Sequence, residues 1–248
     1  MNLLRTKTLL TASALLATLF TGSLTRADSL PVSMSADTWI RSDNATFNGN
    51  TALLGIGQVA GGGDLRSLLS FDLAGVSLPE DATFVSASLM LYFNGPDSTS
   101  ISTTLTIDVH ELTTSFSETA ANWNSNGTTA WANPGGDYDS TILASANIST
   151  KAPAGAVTWS DSSLDSVVQT ALTNGTTLNL LLKAGNETGN TERQLLWFAS
   201  GADHSATRPV AYLVIDYTVI PEPSTIALLG AAAALVAATF LRRRHRAS

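Results

Sequence analysis

Alternation of apolar and polar side chains dominates the body of this chain. Leu105, Ile107 and Val109 fall on one face of a run whose other face carries Thr104, Thr106 and Asp108, the period-two pattern of a strand with one wet side. Further β-compatible runs, punctuated by Gly, Asn, Asp and Ser clusters, predict strands over residues 32–41, 65–73, 83–93, 103–112, 176–183, 194–200 and 210–219. One segment has helical period instead. After Asp161-Ser162-Ser163, the residues Leu164, Val167, Val168, Ala171 and Leu172 share a face, and Asn174-Gly175 supplies the stop. The glycine-rich stretch 55–63 reads as a flexible loop, and there is no internal repeat. Antiparallel strands in this number need a buried face and protected edges. The expectation is an all-β domain: a jelly-roll-like β-sandwich of two antiparallel sheets with one short helix.

The two ends break this pattern. Residues 1–8 carry Arg5 and Lys7, residues 9–24 are apolar and small, and Thr25-Arg26-Ala27 places small residues where a signal peptidase reads, so 1–27 is expected to be a signal peptide cut at Ala27/Asp28. At the other end, residues 226–241 contain no charge. As a helix they form a rod of about 24 Å, expected to span an inner membrane with the following arginines on the cytoplasmic side. Pro221-Glu222-Pro223, this apolar run and the basic cluster Arg242-Arg243-Arg244 occur in that order. Together, residues 219–248 resemble the PEP-CTERM sorting signal of Gram-negative bacteria. That resemblance implies recognition by an exosortase, an integral-membrane cysteine protease that cuts near the triplet, and delivery of residues 28–218 to the cell surface or extracellular matrix.

Charge narrows the partners. Residues 28–218 hold six of the chain's 13 Lys and Arg and 19 of its 20 acids, a formal charge of −13. An acidic field repels nucleic acid and other polyanions at long range, so neither nucleic acid nor simple electrostatic capture of an acidic polysaccharide is expected. With no cysteine there is neither disulfide support nor thiol chemistry, and stability rests on the core.

A second resemblance runs through nearly the whole body. Asp37-Thr-Trp-Ile-Arg41 with Asn44 and Asn48-Gly49, Arg66-Ser-Leu-Leu-Ser-Phe71-Asp72, Ala87-Ser-Leu-Met-Leu-Tyr92, Ser117-Glu118 with Trp123-Asn124, Trp131-Ala-Asn-Pro-Gly-Gly-Asp-Tyr138 and Arg208-Pro209-Val-Ala-Tyr212 closely resemble the DNRLRE domain in order and spacing. Such domains are β-sandwiches of secreted and cell-surface proteins, and one branch is similar to carbohydrate-binding modules attached to alginate-degrading enzymes. The resemblance implies binding to carbohydrate rather than catalysis. The chain departs from the usual pattern at Thr119-Ala-Ala-Asn122 and near Gln169-Thr170, where a Trp often follows the Gln.

Flat aromatic faces are what sugar binding needs, because a pyranose ring packs its axial C–H groups on a ring while its hydroxyls seek polar partners. Trp39, Trp123, Trp131, Tyr138, Trp159 and Trp197 are the candidates. Trp39 and Trp197 lie inside apolar runs and read as core. Trp131 and Tyr138 bracket the Asn133–Asp137 turn and are expected to reach solvent. Arg41 and Arg66 suit a ligand carboxylate or hydroxyl through the guanidinium fork, and Arg66 could instead pair with Asp37 or Asp72 across the sheet. Asp137 and Asp139, with Glu118 and carbonyls, offer oxygens suited to Ca²⁺.

Catalytic constellations are missing from the sequence. His110 and His204 are the body's histidines, no Gly-x-Ser-x-Gly elbow accompanies them, and His110, opposite in phase to Val109, is expected to face solvent. Acid pairs abound but decide nothing. The expected function is a non-enzymatic, exported protein that contacts extracellular polysaccharide. The alternatives are a purely structural matrix component, or a lyase or hydrolase of that matrix.

Overall fold

The computed structural model describes residues 26–187, 192–201, 211–220 and 230–236. The chain divides into two compact units. The larger comprises Ser29–Ser77 and Phe84–Asp216 and carries every site considered below; the smaller gathers Leu78–Thr83 with the two ends of the chain.

Among the described residues there are eleven strands: β1 Arg26–Ser33, β2 Ala36–Arg41, β3 Leu53–Gln58, β4 Asp64–Asp72, β5 Ala82–Phe93, β6 Thr104–Glu111, β7 Ala144–Ser149, β8 Gly155–Trp159, β9 Thr177–Ala184, β10 Gln194–Ala199 and β11 Tyr212–Val219. One helix, α1 Ser162–Asn174, interrupts them. It begins where Asp161 Oδ1 accepts from the Ser163 amide at 2.8 Å and ends at Gly175 in the left-handed region, φ 60°, as the flanking residues predict. Its buried residues are Leu164, Val168 and Ala171, and Asp165 Oδ1 accepts from the Ala87 amide of β5 at 2.7 Å.

The strands do not form two separate sheets. They join in one antiparallel network, β1-β11-β5-β10-β3-β4-β9-β6-β7, with β2 bonded to β4 and β8 to β5. β4 is the reason: Asp64 and Leu65 pair with β3, Leu65–Ser70 pair with β2, and Ser67–Asp72 pair with β9. The network nevertheless turns back on itself as a sandwich does. Trp159 of β8, wholly buried, donates from Nε1 to the Ile107 carbonyl of β6 at 3.0 Å and packs on Phe198 of β10, although β8 and β6 lie far apart along the hydrogen-bonded path.

Four strands escape the sequence reading: β1, which shares only Val32 and Ser33 with the expected strand 32–41 and begins within the expected signal peptide, and β3, β7 and β8. β3 falls partly in the expected glycine loop, and it is a strand because its glycines admit close neighbours. A Cβ on Gly55 would sit 2.9 Å from the Trp197 ring, and one on Gly57 (φ 125°) 2.1 Å from the Gln194 carbonyl oxygen. β7 and β8 are short and poor in large apolar residues.

The face of β6 expected to be wet is only half so. Thr104 and Thr106 are exposed, whereas Asp108 and His110 are buried: Asp108 accepts from Ser145 Oγ of β7 at 2.6 Å, and the strandless stretch from Leu112 to Leu143 folds over His110. Ile40, Leu68 and Leu181 form one cluster there with Leu112, Ala121 and Trp131, flanked by Phe116, Trp123 and Tyr138. Hence β4 is buried continuously from Leu65 to Phe71: one side faces the interior of the sandwich, the other lies under this cover. Asn48 pins the cover to β2, its Nδ2 donating to the Glu118 and Ala121 carbonyls at 3.0 and 2.6 Å.

Candidate functional site

Four of the candidates, Trp123, Trp131, Tyr138 and Arg66, meet at the cover rather than on an open surface. Trp131 is 5 % exposed and donates from Nε1 to the Asn122 carbonyl at 2.8 Å. The expectation that it reaches solvent is corrected: its ring is what attaches the cover to β2, β4 and β9. Tyr138 is half-buried, with its ring 4.9 Å from His110. His110 is likewise not solvent-facing, being 5 % exposed, with Nδ1 placed 3.0 Å from both the Asp139 and Thr141 carbonyls. Two acceptors fix the proton on Nδ1, and burial, outweighing these bonds, lowers its pKa.

Arg66 lies at the centre of this region. Its side chain is 10 % exposed and grips Glu187 through Nε–Oε1 at 2.9 Å and Nη2–Oε2 at 2.7 Å, while Nη1 donates to the Gly135 carbonyl at 2.8 Å. The ring centroids of Trp123 and Tyr138 lie 4.7 and 5.4 Å from the guanidinium carbon, a cation set over two aromatic faces. Lys183 adds a second cation to Glu187 at 3.3 Å. The partner is therefore Glu187, neither Asp37 nor Asp72. Asp37 is buried elsewhere, accepting from Ser200 Oγ at 3.1 Å and the Gly201 amide at 2.7 Å. Burial raises its pKa despite those bonds, and the nearby Glu118 adds to the rise. Asp72 is exposed at the end of β4.

Asp137 and Asp139 spend their carboxylates on their own loop. Asp137 accepts from the Asn133 and Ala132 amides at 2.9 and 3.0 Å, and Asp139 from the Thr141 amide at 2.8 Å. Among the described residues, no group of three or more His, Cys, Asp or Glu side chains is arranged to hold a metal ion.

An open cleft of ≈ 210 Å³ lies on the other side of β2, where alternation places Trp39 and Arg41 away from Ile40. Trp39, Arg41, Asp43, Val59, Ala60, Leu65, Arg193, Leu195 and Trp197 line it. Trp39 is 6 % exposed and wedged against Phe47, with Nε1 donating to Thr51 Oγ1 at 3.4 Å. Trp197 is half-buried, lies over Gly55 and meets the Trp39 ring edge-on at 5.4 Å. Trp39 is core, as read from the sequence; Trp197 is also a wall of the cleft.

Both cations of the cleft are paired. Arg41 bonds Asp43 through Nε to Oδ1 at 2.6 Å and through Nη2 to Oδ2. Arg193 reaches Asp97 Oδ2 from Nε and Nη2, each at 3.2 Å. The hydrogen bonds from Arg41 hold Asp43 below the usual carboxylate range against the opposing effect of burial. For Asp97 burial pushes upward, but the Thr99 hydroxyl and amide, with Arg193, bring the net shift down. Trp197 was a candidate aromatic face but read as core, and Arg193 was not picked out from the sequence. The available signal was the pairing of an aromatic strand with a glycine-bearing one, since glycine leaves room for an indole to lie flat.

An aromatic wall beside hydrogen-bonding forks is chemistry for a hydroxylated ring. A family model for carbohydrate-binding module family 96 matches residues 29–213. The chain belongs to that family. As a CBM96 chain it carries a domain of a non-catalytic type. The PEP-CTERM protein-sorting motif matches residues 219–244, which implies an exported protein processed at the membrane, with an exosortase-type sorting partner. A comparison with curated proteins finds none that matches. Pro221, Glu222, Pro223, Arg242, Arg243 and Arg244 lie outside the described residues, as do the expected signal peptide up to residue 25, Arg208 and His204. Residues 230–236 are helical, and among the described residues no helix is long and apolar enough to cross a membrane.

Proposed function

We propose that this CBM96 domain binds extracellular polysaccharide without catalysis, and that the cleft at Trp197 and Arg41 receives one sugar ring of the chain. The cleft itself carries the reading: an accessible indole wall, apolar Val59, Ala60, Leu65 and Leu195, and two guanidinium groups converge there. At ≈ 210 Å³ it is smaller than the roughly 300–1,000 Å³ sites of drug-sized ligands, which suits a single ring with the polymer leaving through the open sides. Arg66, Trp123, Trp131 and Tyr138 serve this function indirectly, by holding the cover in place. In the full reading the domain is a jelly-roll-like module spanning residues 28–218. Signal peptidase and exosortase process its two ends, and it functions at the cell surface or in the exopolysaccharide matrix.

The test is affinity electrophoresis and calorimetry of the full chain in detergent against extracellular polysaccharides and oligosaccharide panels. Replacing Trp197 by Ala, with the more conservative Trp197→Phe as a folding control, is expected to weaken binding about tenfold or more, the effect of losing a central aromatic anchor. No binding to any saccharide would end this reading in favour of a structural matrix protein.

A further inference from the structure

One guanidinium of the cleft is held by residues that the cleft does not contain. Arg193 stands one residue before β10 and lines the cleft. Its side chain is 30 % exposed, against 9 % for its partner Asp97. Asp97 belongs to the connection between β5 and β6 and is not a lining residue. The carboxylate is divided between two sets of partners. Oδ1 accepts from the Thr99 amide at 2.8 Å and the Thr99 hydroxyl at 2.6 Å, while Oδ2 accepts from Nε and Nη2 of Arg193, each at 3.2 Å. All of these partners donate, so only a group with two accepting oxygens satisfies both sets. A side-chain amide in its place would turn N–H toward one of them.

The connection is in turn fastened to β10. The Ile101 amide donates to the Arg193 carbonyl at 2.9 Å, and the buried Ser100 hydroxyl bonds both the amide and the carbonyl of Leu195, at 3.1 and 3.3 Å. Lys151 ties the segment down independently, its Nζ donating to the Asp97 carbonyl at 2.6 Å. Arg193 is thus fixed at both main chain and side chain by one short segment. A free surface arginine samples many rotamers, and ordering it on binding costs affinity. Here the ordering precedes the ligand. Asp97 engages two of the five N–H donors that a guanidinium has, so the group is held without being used up.

Resting on the reading of the cleft as a saccharide site, we infer that Asp97, oriented by Thr99, is a positioning residue that presets Arg193 for the bound sugar. It acts through the arginine and not by contact with the ligand, and it needs the place of the carboxylate as well as its charge.

The experiment is calorimetry of the full chain in detergent, at fixed ionic strength, against alginate, xylan, cellulose and mannan hexasaccharides, continued with the tightest binder. Asp97→Asn cannot satisfy both sets of donors, and Asp97→Glu keeps the charge but displaces it. Each is expected to weaken binding about three- to tenfold, the cost of ordering one long side chain on binding. Neither should have any further effect once Arg193→Ala is also present, since nothing is then left to position. Thr99→Val removes only the hydroxyl and is expected to give a smaller loss, about twofold, that likewise vanishes without Arg193; it carries the test should the Asp97 variants fail to fold. Unchanged or tighter binding in the variants that fold, or a loss of the same size with Arg193→Ala in place, overturns the inference while leaving the cleft reading intact. Wild-type binding that survives Trp197→Ala, or no binding across the panel, overturns the cleft reading and this inference with it.

Discussion

Replacing Glu187 by Gln tests how the cover over β4 and β9 is held. The substitution keeps the shape of the side chain and removes one charge from between two cations, Arg66 at 2.7 Å and Lys183 at 3.3 Å. All three side chains are only 10–12 % exposed, so water compensates little, and breaking such a buried pair costs about 3–5 kcal/mol. Part is retained. The Gln carbonyl still accepts one bond, Arg66 keeps the Gly135 carbonyl and its two aromatic faces, and Gln58 Nε2 still donates to the main-chain carbonyl of residue 187 at 2.6 Å. The expected loss is therefore about 2–4 kcal/mol, which lowers the melting temperature by about 4–16 °C in a domain of this size. Urea unfolding followed by tryptophan fluorescence measures it, since Trp123 lies on Arg66. Arg66→Met added to Glu187→Gln should cost less than Arg66→Met alone, with a coupling above about 1 kcal/mol. A loss under about 1 kcal/mol with no coupling would show that the cover does not depend on this pair, and would refute the reasoning.

Trp131→Ala separates packing from binding. It empties a site that is 5 % exposed and strands the Asn122 carbonyl, so a loss of about 3–5 kcal/mol is expected. Saccharide affinity measured well below the melting temperature should change less than about twofold, because the ring lies on the opposite side of β2 from the cleft. The pH dependence of stability tests Asp37. Its folded pKa is raised by burial, so the native state holds this proton to higher pH than the unfolded chain does. Its contribution is thus present at low pH and is lost as pH rises from about 4 through the folded value. Asp43 and Asp97, held low, act in the other direction and lose their contribution on acidification. Asp37→Asn should flatten the decline of the urea midpoint above pH ~4 relative to wild type, and an unchanged slope would assign the decline to other groups.

Local pattern alone determined much of this protein. Alternation located most of the long strands, because a half-buried strand must repeat every two residues. The caps at Asp161 and Gly175 delimited α1, because helix ends need a side-chain acceptor and a left-handed residue. The order of Pro221-Glu222-Pro223, apolar run and arginines marked the sorting motif in the same way, as a local and linear signal.

Tertiary structure decided the rest. Alternation defines two faces of a sheet but not what covers the second one, so the burial of His110 and Trp131 under the strandless stretch could not be read from β6 or from the turn at Asn133. The partner of Arg66 is 121 residues away, and nothing in the sequence ranks Glu187 above the nearer acids. β3 was hidden because glycine argues against a strand until the Trp197 ring and the Gln194 carbonyl are seen to need the space. The cleft joins β2, the β3–β4 connection and β10, three segments whose side chains meet only because β4 links both halves of the sheet. Residue type and local spacing carry the elements and the address; which charges and aromatic faces converge is a property of long-range packing.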